Sequence, residues 1–155
     1  MSMVQRQKGF GLVQGVIVVA VLSAVGMVAM PKYKAFVTKS QLTEALNIAH
    51  ESKRKLEMYY MTTGNFPKTM SEAEAMKTET LSAPKFVREM TVAPKNESDV
   101  IVKVFLNDGV VENLEGLEQF VYIQGQKNAS NGIQLEWICG AQGINSELLP
   151  DTCKG

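Results

Sequence analysis

Cys139 and Cys153 are the only cysteines of the chain, and 13 residues separate them. In an exported protein an even pair reads as a structural disulfide. Closing about 15 residues contributes on the order of 3 kcal/mol in the chain-entropy picture, a large share of a small domain's stability. A zinc site is poorly supported, because the lone His50 lies far from both cysteines and two thiolates leave a four-ligand set incomplete. His50 itself has no recognisable catalytic partner. The chain carries no glycine-rich phosphate loop, no G-x-S-x-G elbow and no paired-histidine motif, so His50 reads as a helix-surface or packed histidine rather than a base. Glu112, Glu115 and Glu118 read as a solvated edge in preference to a cation site. The expectation is a protein that is not an enzyme and uses neither metal nor cofactor.

Charge narrows the partners. The 16 basic and 16 acidic side chains balance, which gives nucleic-acid binding no support from bulk charge. A DNA-binding strip would need local convergence, for instance of Lys68, Lys77, Lys85 and Lys95, and sequence spacing does not show that they meet.

The element that dominates the chain is apolar. From Phe10 to Met30 the 21 residues include only two polar side chains, Gln14 and Ser23, behind a leader that carries Arg6 and Lys8. As a helix this run is roughly 32 Å long, matching a bilayer's hydrocarbon core. It is longer than the apolar core of an ordinary cleaved signal peptide, although cutting near Ala24 or Ala29 stays open. The basic leader keeps its own end cytoplasmic, so the rest of the chain is expected to be exported.

Beyond Pro31 the helical period continues. Tyr33, Phe36, Val37, Leu42, Ala45, Leu46, Ala49, Leu56 and Tyr60 recur mostly three or four apart, with Lys39, Glu44, Glu51, Lys55 and Glu57 at other angles. One helix from Phe10 to about Thr62 is expected, amphipathic past Pro31 and bent there, carrying a Glu51–Lys55 pair and ended by Gly64. The segment Ser71-Glu-Ala-Glu suggests a short capped helix, and Phe86 to Val92 a possible extra strand. Val100 to Leu106, the turn Asn107-Asp108-Gly109 and Val110-Val111 read as a hairpin. Phe120 to Gln124 and Ile133 to Ile138 supply two further strands, the latter with Leu135 and Trp137 on one face. The predicted fold is α+β: a long N-terminal helix whose polar half packs on three or four antiparallel strands, closed by a C-terminal disulfide loop.

Particular residues within this plan resemble the type IV pilin family. Lys8-Gly9-Phe10 is similar to a prepilin peptidase site, Val16 to Leu22 to the aliphatic run behind it, and Pro31 falls 21 residues past Phe10, where many pilins have a proline. Tyr33 and Phe36 follow as aromatics often do there, and Tyr59 to Pro67 resembles the end of the long pilin helix. Trp137-Ile138-Cys139 and Leu149-Pro150-Asp151-Thr152-Cys153 resemble the disulfide-bounded loop of type IVa pilins. The resemblance implies cleavage after Gly9, N-methylation of Phe10, residence in the bacterial inner membrane, and assembly into a cell-surface filament through Phe10, Gln14 and Pro31. It divides the chain into a leader at 1–9, a transmembrane and filament-core helix at 10–31, and a globular head at 32–155. The partners it implies are other pilin subunits, prepilin peptidase, and the assembly platform and motor. Adhesion, twitching motility and DNA uptake are the family's roles.

Gln14 departs from the pattern, since filament-body pilins usually carry a glutamate there that is thought to neutralise a neighbour's terminal ammonium. An amide lowers the cost of membrane insertion and still accepts a hydrogen bond. A minor or tip pilin is therefore an alternative to a filament-body subunit. A pseudopilin, or a membrane-tethered periplasmic binding domain that never polymerises, are the others. Asn96-Glu97-Ser98 and Asn128-Ala129-Ser130 fit the N-glycosylation acceptor pattern.

Overall fold

The computed structural model describes residues 11–77, 84–96, 98–111, 118–127 and 135–153, the side chains of 25–29 aside. The chain divides into two compact units, Met1–Phe36 and Val37–Gly155. The elements run in the order α1 (Leu12–Thr63), α2 (Met70–Ala75), β1 (Val87–Pro94), β2 (Asp99–Leu106), β3 (Phe120–Lys127) and β4 (Leu135–Gln142), then two 3-10 turns, Ser146–Leu148 and Asp151–Cys153.

Helix α1 contains Pro31 and continues through it. Within the second unit its apolar stripe does what the spacing predicts: Leu42, Ala45, Leu46, Ala49, Leu56 and Tyr60 are all buried. Val37 is half-buried, whereas Tyr33 and Phe36, which the same period included, belong to the first unit and are exposed. Gly64 ends the helix in the left-handed region, φ 74°, with its N–H donating to the Tyr60 carbonyl at 2.7 Å. The chain then turns inward, burying Phe66 and Pro67.

The short helix exists, but Thr69 caps it and Ser71 lies inside it. The Thr69 side chain accepts from the Glu72 N–H at 3.2 Å, and the Glu72 carboxylate accepts from the backbone N–H groups of Lys68 at 3.0 Å and Thr69 at 3.3 Å. The Thr69-x-x-Glu72 box therefore takes precedence over the Ser71-x-x-Glu74 one, and it sets the register that buries Ala73. The Glu51–Lys55 pair is also replaced. Lys55 Nζ donates to the Lys77 carbonyl at 2.6 Å, just past the C-terminus of α2, and the ion pair at that helical spacing is Lys53–Glu57 at 3.7 Å.

All four strands form one antiparallel sheet in the order β1-β2-β3-β4. Alternation assigns the faces. Val100, Val102, Val104 and Leu106 of β2 are buried. Val102 stands between Val92 and Ile123, and Val104 between Met90 and Val121. Burying a side chain of this size contributes about 1.5–3 kcal/mol, so this inward layer is the main source of cohesion in the head. On β4 the inward set is Leu135, Trp137, Cys139 and Ala141.

The expected hairpin at Asn107–Gly109 is not formed. The turn is present, with Gly109 at φ 86°, but Val110 and Val111 do not resume a strand, and β2 pairs instead with β1 and β3. The reason lies in hydrogen bonding: the Val110 carbonyl accepts from the Thr38 hydroxyl at 3.1 Å and the Val111 carbonyl from Gln119 Nε2 at 3.3 Å. These side chains engage the carbonyls a ladder would have used. Strand β1 realises the possible extra strand, and β4 runs on through Cys139 to Gln142, beyond the predicted Ile138 end.

The outer strands are both flanked. Helix α2 lies against β1, and the Asp151–Cys153 turn lies against β4. Cys153 is joined to Cys139 by the disulfide, with the Cα atoms 5.1 Å apart. The cysteine bridge and the closing C-terminal loop are thus as the sequence indicates.

Candidate functional site

The stem begins with the Gly11 carbonyl accepting from the N–H groups of Gln14 at 2.8 Å and Gly15 at 3.3 Å. Branched aliphatic residues then dominate. Leu12, Val13, Val16, Ile17, Val18, Val19, Val21 and Leu22 stand between 47% and 87% exposed. Ser23 does not break this surface, because its hydroxyl donates to the Val19 carbonyl at 2.8 Å within the helix. Gln14 and Pro31, both expected to act in assembly, are exposed on the same helix. Gly9 and Phe10, the expected processing junction, lie outside the described residues. Among the described residues no helix is long and apolar enough to cross a membrane, so the span from Phe10 to Met30 rests on the sequence.

In the head, aromatic side chains cluster at the end of α1. Tyr60 and Phe66 have ring centroids 5.1 Å apart, and Phe66 meets Trp137 edge-on at 6.1 Å. Lys53 Nζ lies 5.1 Å from the Trp137 ring and Lys127 Nζ 5.9 Å from that of Tyr60. Tyr60 and Phe66 are buried and Trp137 is half-buried, so this group serves packing. The opposite face of the sheet carries a second row, Phe105, Phe120 and Tyr122, with successive centroids 5.1 and 6.3 Å apart. Arg88, at the β-bulge of β1, reaches over Phe105 at 5.4 Å.

Among the described residues no catalytic constellation assembles around the others singled out in sequence. His50 is on an exposed turn of α1, and its imidazole is held below the ordinary histidine range first by local desolvation, then by the charges of Lys53 and Arg54, with Glu57 opposing. Glu118 is exposed and 3.8 Å from Arg88, while Glu112 and Glu115 lie outside the described residues. Among the described residues no group of three or more His, Cys, Asp or Glu side chains could hold a metal ion. Of the four lysines weighed for a basic strip, Lys77 is paired with Glu74 at 2.9 Å and Lys95 donates to Gln124 Oε1 at 3.0 Å. The Asn96 acceptor site is also engaged: its Nδ2, the atom a glycan would occupy, donates to Asp99 Oδ2 at 2.8 Å. Asn128 and Ser130 lie outside the described residues.

Sequence reasoning missed Thr38 and Ser52. Ser52 is fully buried, between Ala49 and Leu56 on the same stripe, and that spacing was the available signal. For Thr38 nothing local foretold its carbonyl partner on the turn after β2.

A stem of exposed aliphatics, a four-stranded head and a terminal disulfide loop invite comparison with filament subunits. The model of the pilin family, bacterial filament proteins, matches residues 38–154. The chain belongs to the pilin family. The fimbrial protein EcpC of Eikenella corrodens is 28% identical over 150 residues, covering 97% of this pilin and 92% of that protein. The type IV major pilin protein PilE1 of Neisseria gonorrhoeae is 25% identical over 164 residues, covering 96% and 94%. A fimbrial protein of Neisseria meningitidis serogroup A is 24% identical over 134 residues, covering 86% and 73%. The resemblance read from Lys8-Gly9-Phe10, Pro31 and the cysteine loop therefore led to the right family. As a pilin the chain is a structural subunit of a surface filament, built to assemble with other pilin subunits.

Proposed function

We propose that this pilin is made as a prepilin, cut after Gly9 by a prepilin peptidase, N-methylated at Phe10 and held in the inner membrane by its stem until a platform and motor transfer it into a type IV pilus. The observation that carries this reading is the row of large aliphatic side chains from Leu12 to Leu22 standing exposed. Leaving each such side chain in water forgoes about 1.5–3 kcal/mol, so the helix requires lipid or other apolar helices around it. Lipid supplies that environment before assembly, and packed stems supply it afterwards. Gly15, Ala20, Ala24 and Gly26 are the small residues that let neighbouring stems approach closely. Pilus assembly then exchanges one apolar surrounding for another, and the head follows its stem outward. Adhesion, twitching motility and DNA uptake are the roles such a filament can serve.

Gln14 favours a second reading within the same family, a minor or tip subunit. A subunit with no neighbour above it has no foreign ammonium to neutralise, and the amide spares the cost of carrying a carboxylate through the bilayer. The curated relatives named as major pilins support the filament-body role instead.

The test is mass spectrometry of sheared filaments, reading the N-terminus and counting this subunit against the others. A methylated Phe10 at the N-terminus supports processing, and the copy number separates body from tip. An intact Met1 on a cell-bound product would point to a tethered domain that does not polymerise. A product trimmed within the stem, with a free head, would overturn the proposal.

A further inference from the structure

Three methionines of the head stand in the open: Met58, Met61 and Met70, at 69%, 82% and 56% exposure. Met58 and Met61 are three residues apart on α1 and share a face, while Met70 opens α2. An exposed helix position is served equally well by lysine, glutamate or glutamine. The other two methionines described in the head are placed differently. Met76 and Met90 are half-buried against the core, and Met90 Sδ accepts from the Ser52 hydroxyl at 3.7 Å.

We propose that Met58, Met61 and Met70 are oxidant-accepting modification sites on the head, taking hydrogen peroxide as the co-substrate. Each thioether sulfur attacks one peroxide oxygen. The O–O bond breaks, an S–O bond forms, and the departing oxygen takes up the proton to leave as water. The sulfur loses two electrons to become the sulfoxide, and the peroxide gains them. The reaction makes a flexible apolar side chain polar. At these three positions the change falls on solvent-facing groups, so the head takes up three oxygen atoms without losing a core contact. At Met76 or Met90 the same change would put a polar oxygen against buried aliphatic side chains. The arrangement separates a surface that can be oxidised from a core that must not be. It stands on exposure alone and does not depend on how the stem is processed.

The test treats the full-length chain in detergent micelles with hydrogen peroxide and follows each methionine by peptide mapping. Met58, Met61 and Met70 are expected to oxidise about tenfold faster than Met76 and Met90, with near-ultraviolet circular dichroism unchanged when the fast three are complete. In denaturant the five rates should converge. A variant with Met58→Leu, Met61→Leu and Met70→Leu should take up three fewer oxygen atoms at the same dose. The proposal is overturned if Met76 or Met90 reacts as fast in the folded chain, if the order persists after unfolding, or if oxidising the outer three abolishes the tertiary signal.

Discussion

Gly125 of β3 stands directly opposite Trp137 of β4, and the indole lies so close over it that a Cβ at position 125 would come within 2.8 Å of two ring carbons. The Phe66 ring closes the same space from another side, at 3.0 Å. The glycine leaves the room that the tryptophan ring occupies where it joins the aromatic group at the end of α1. Gly125→Ala should therefore force the indole or Phe66 aside and cost about 1–3 kcal/mol. Trp137 is the only tryptophan, so its fluorescence during urea unfolding measures the loss. A midpoint equal to that of the parent would show that the ring moves at no cost.

Reduction of the Cys139–Cys153 disulfide should lower head stability by about 3 kcal/mol, since it frees the loop between the two cysteines in the unfolded chain. The C-terminal turn should loosen first because the bridge ties it to β4. Hydrogen exchange with and without reductant measures this, with protection expected to fall at 139–142 and to persist at the centre of β2.

Gln14→Glu should raise incorporation into filaments if a missing carboxylate limits assembly. The gain must exceed the insertion cost of an acidic side chain, which is roughly 2.5–3.5 kcal/mol at the centre of a membrane helix and less at Gln14, four residues inside its end. Quantifying sheared filaments from matched cultures decides it, and equal yields would remove charge neutralisation as the limiting factor.

The lowered pKa of His50 has a definite sign in stability. The folded head binds that proton less readily than the unfolded chain, so stability rises with pH between the folded value and the unfolded one near 6.5. Acidifying through that window should weaken the head, and His50→Gln should flatten that part of the profile. Urea midpoints at closely spaced pH values measure it.

What the sequence disclosed followed from periodicity and from strong local signals. The stripe from Leu42 to Tyr60 fixed the helix, Gly64 fixed its end, and alternation in β2 fixed which side chains face inward. The hairpin after Leu106 misled because its local turn signal competes with two distant donors, Thr38 and Gln119, that no window around Asn107 contains. Two overlapping capping boxes at 69–74 differ only in which register buries Ala73, which is a tertiary outcome. The exposed aliphatic row of Leu12 to Leu22 was legible for a different reason: a run of apolar residues needs no partner within the head to be recognised.

The flanking of β1 by α2 and of β4 by the bridged C-terminal turn has a further effect. Where pilin heads crowd together, a bare strand at either margin would invite ladder growth from one molecule to the next. The elements held against the two outer strands hinder such spread. Opening the bridge would free the turn held against β4, so reductant should promote clumping of heads even under conditions where they remain folded.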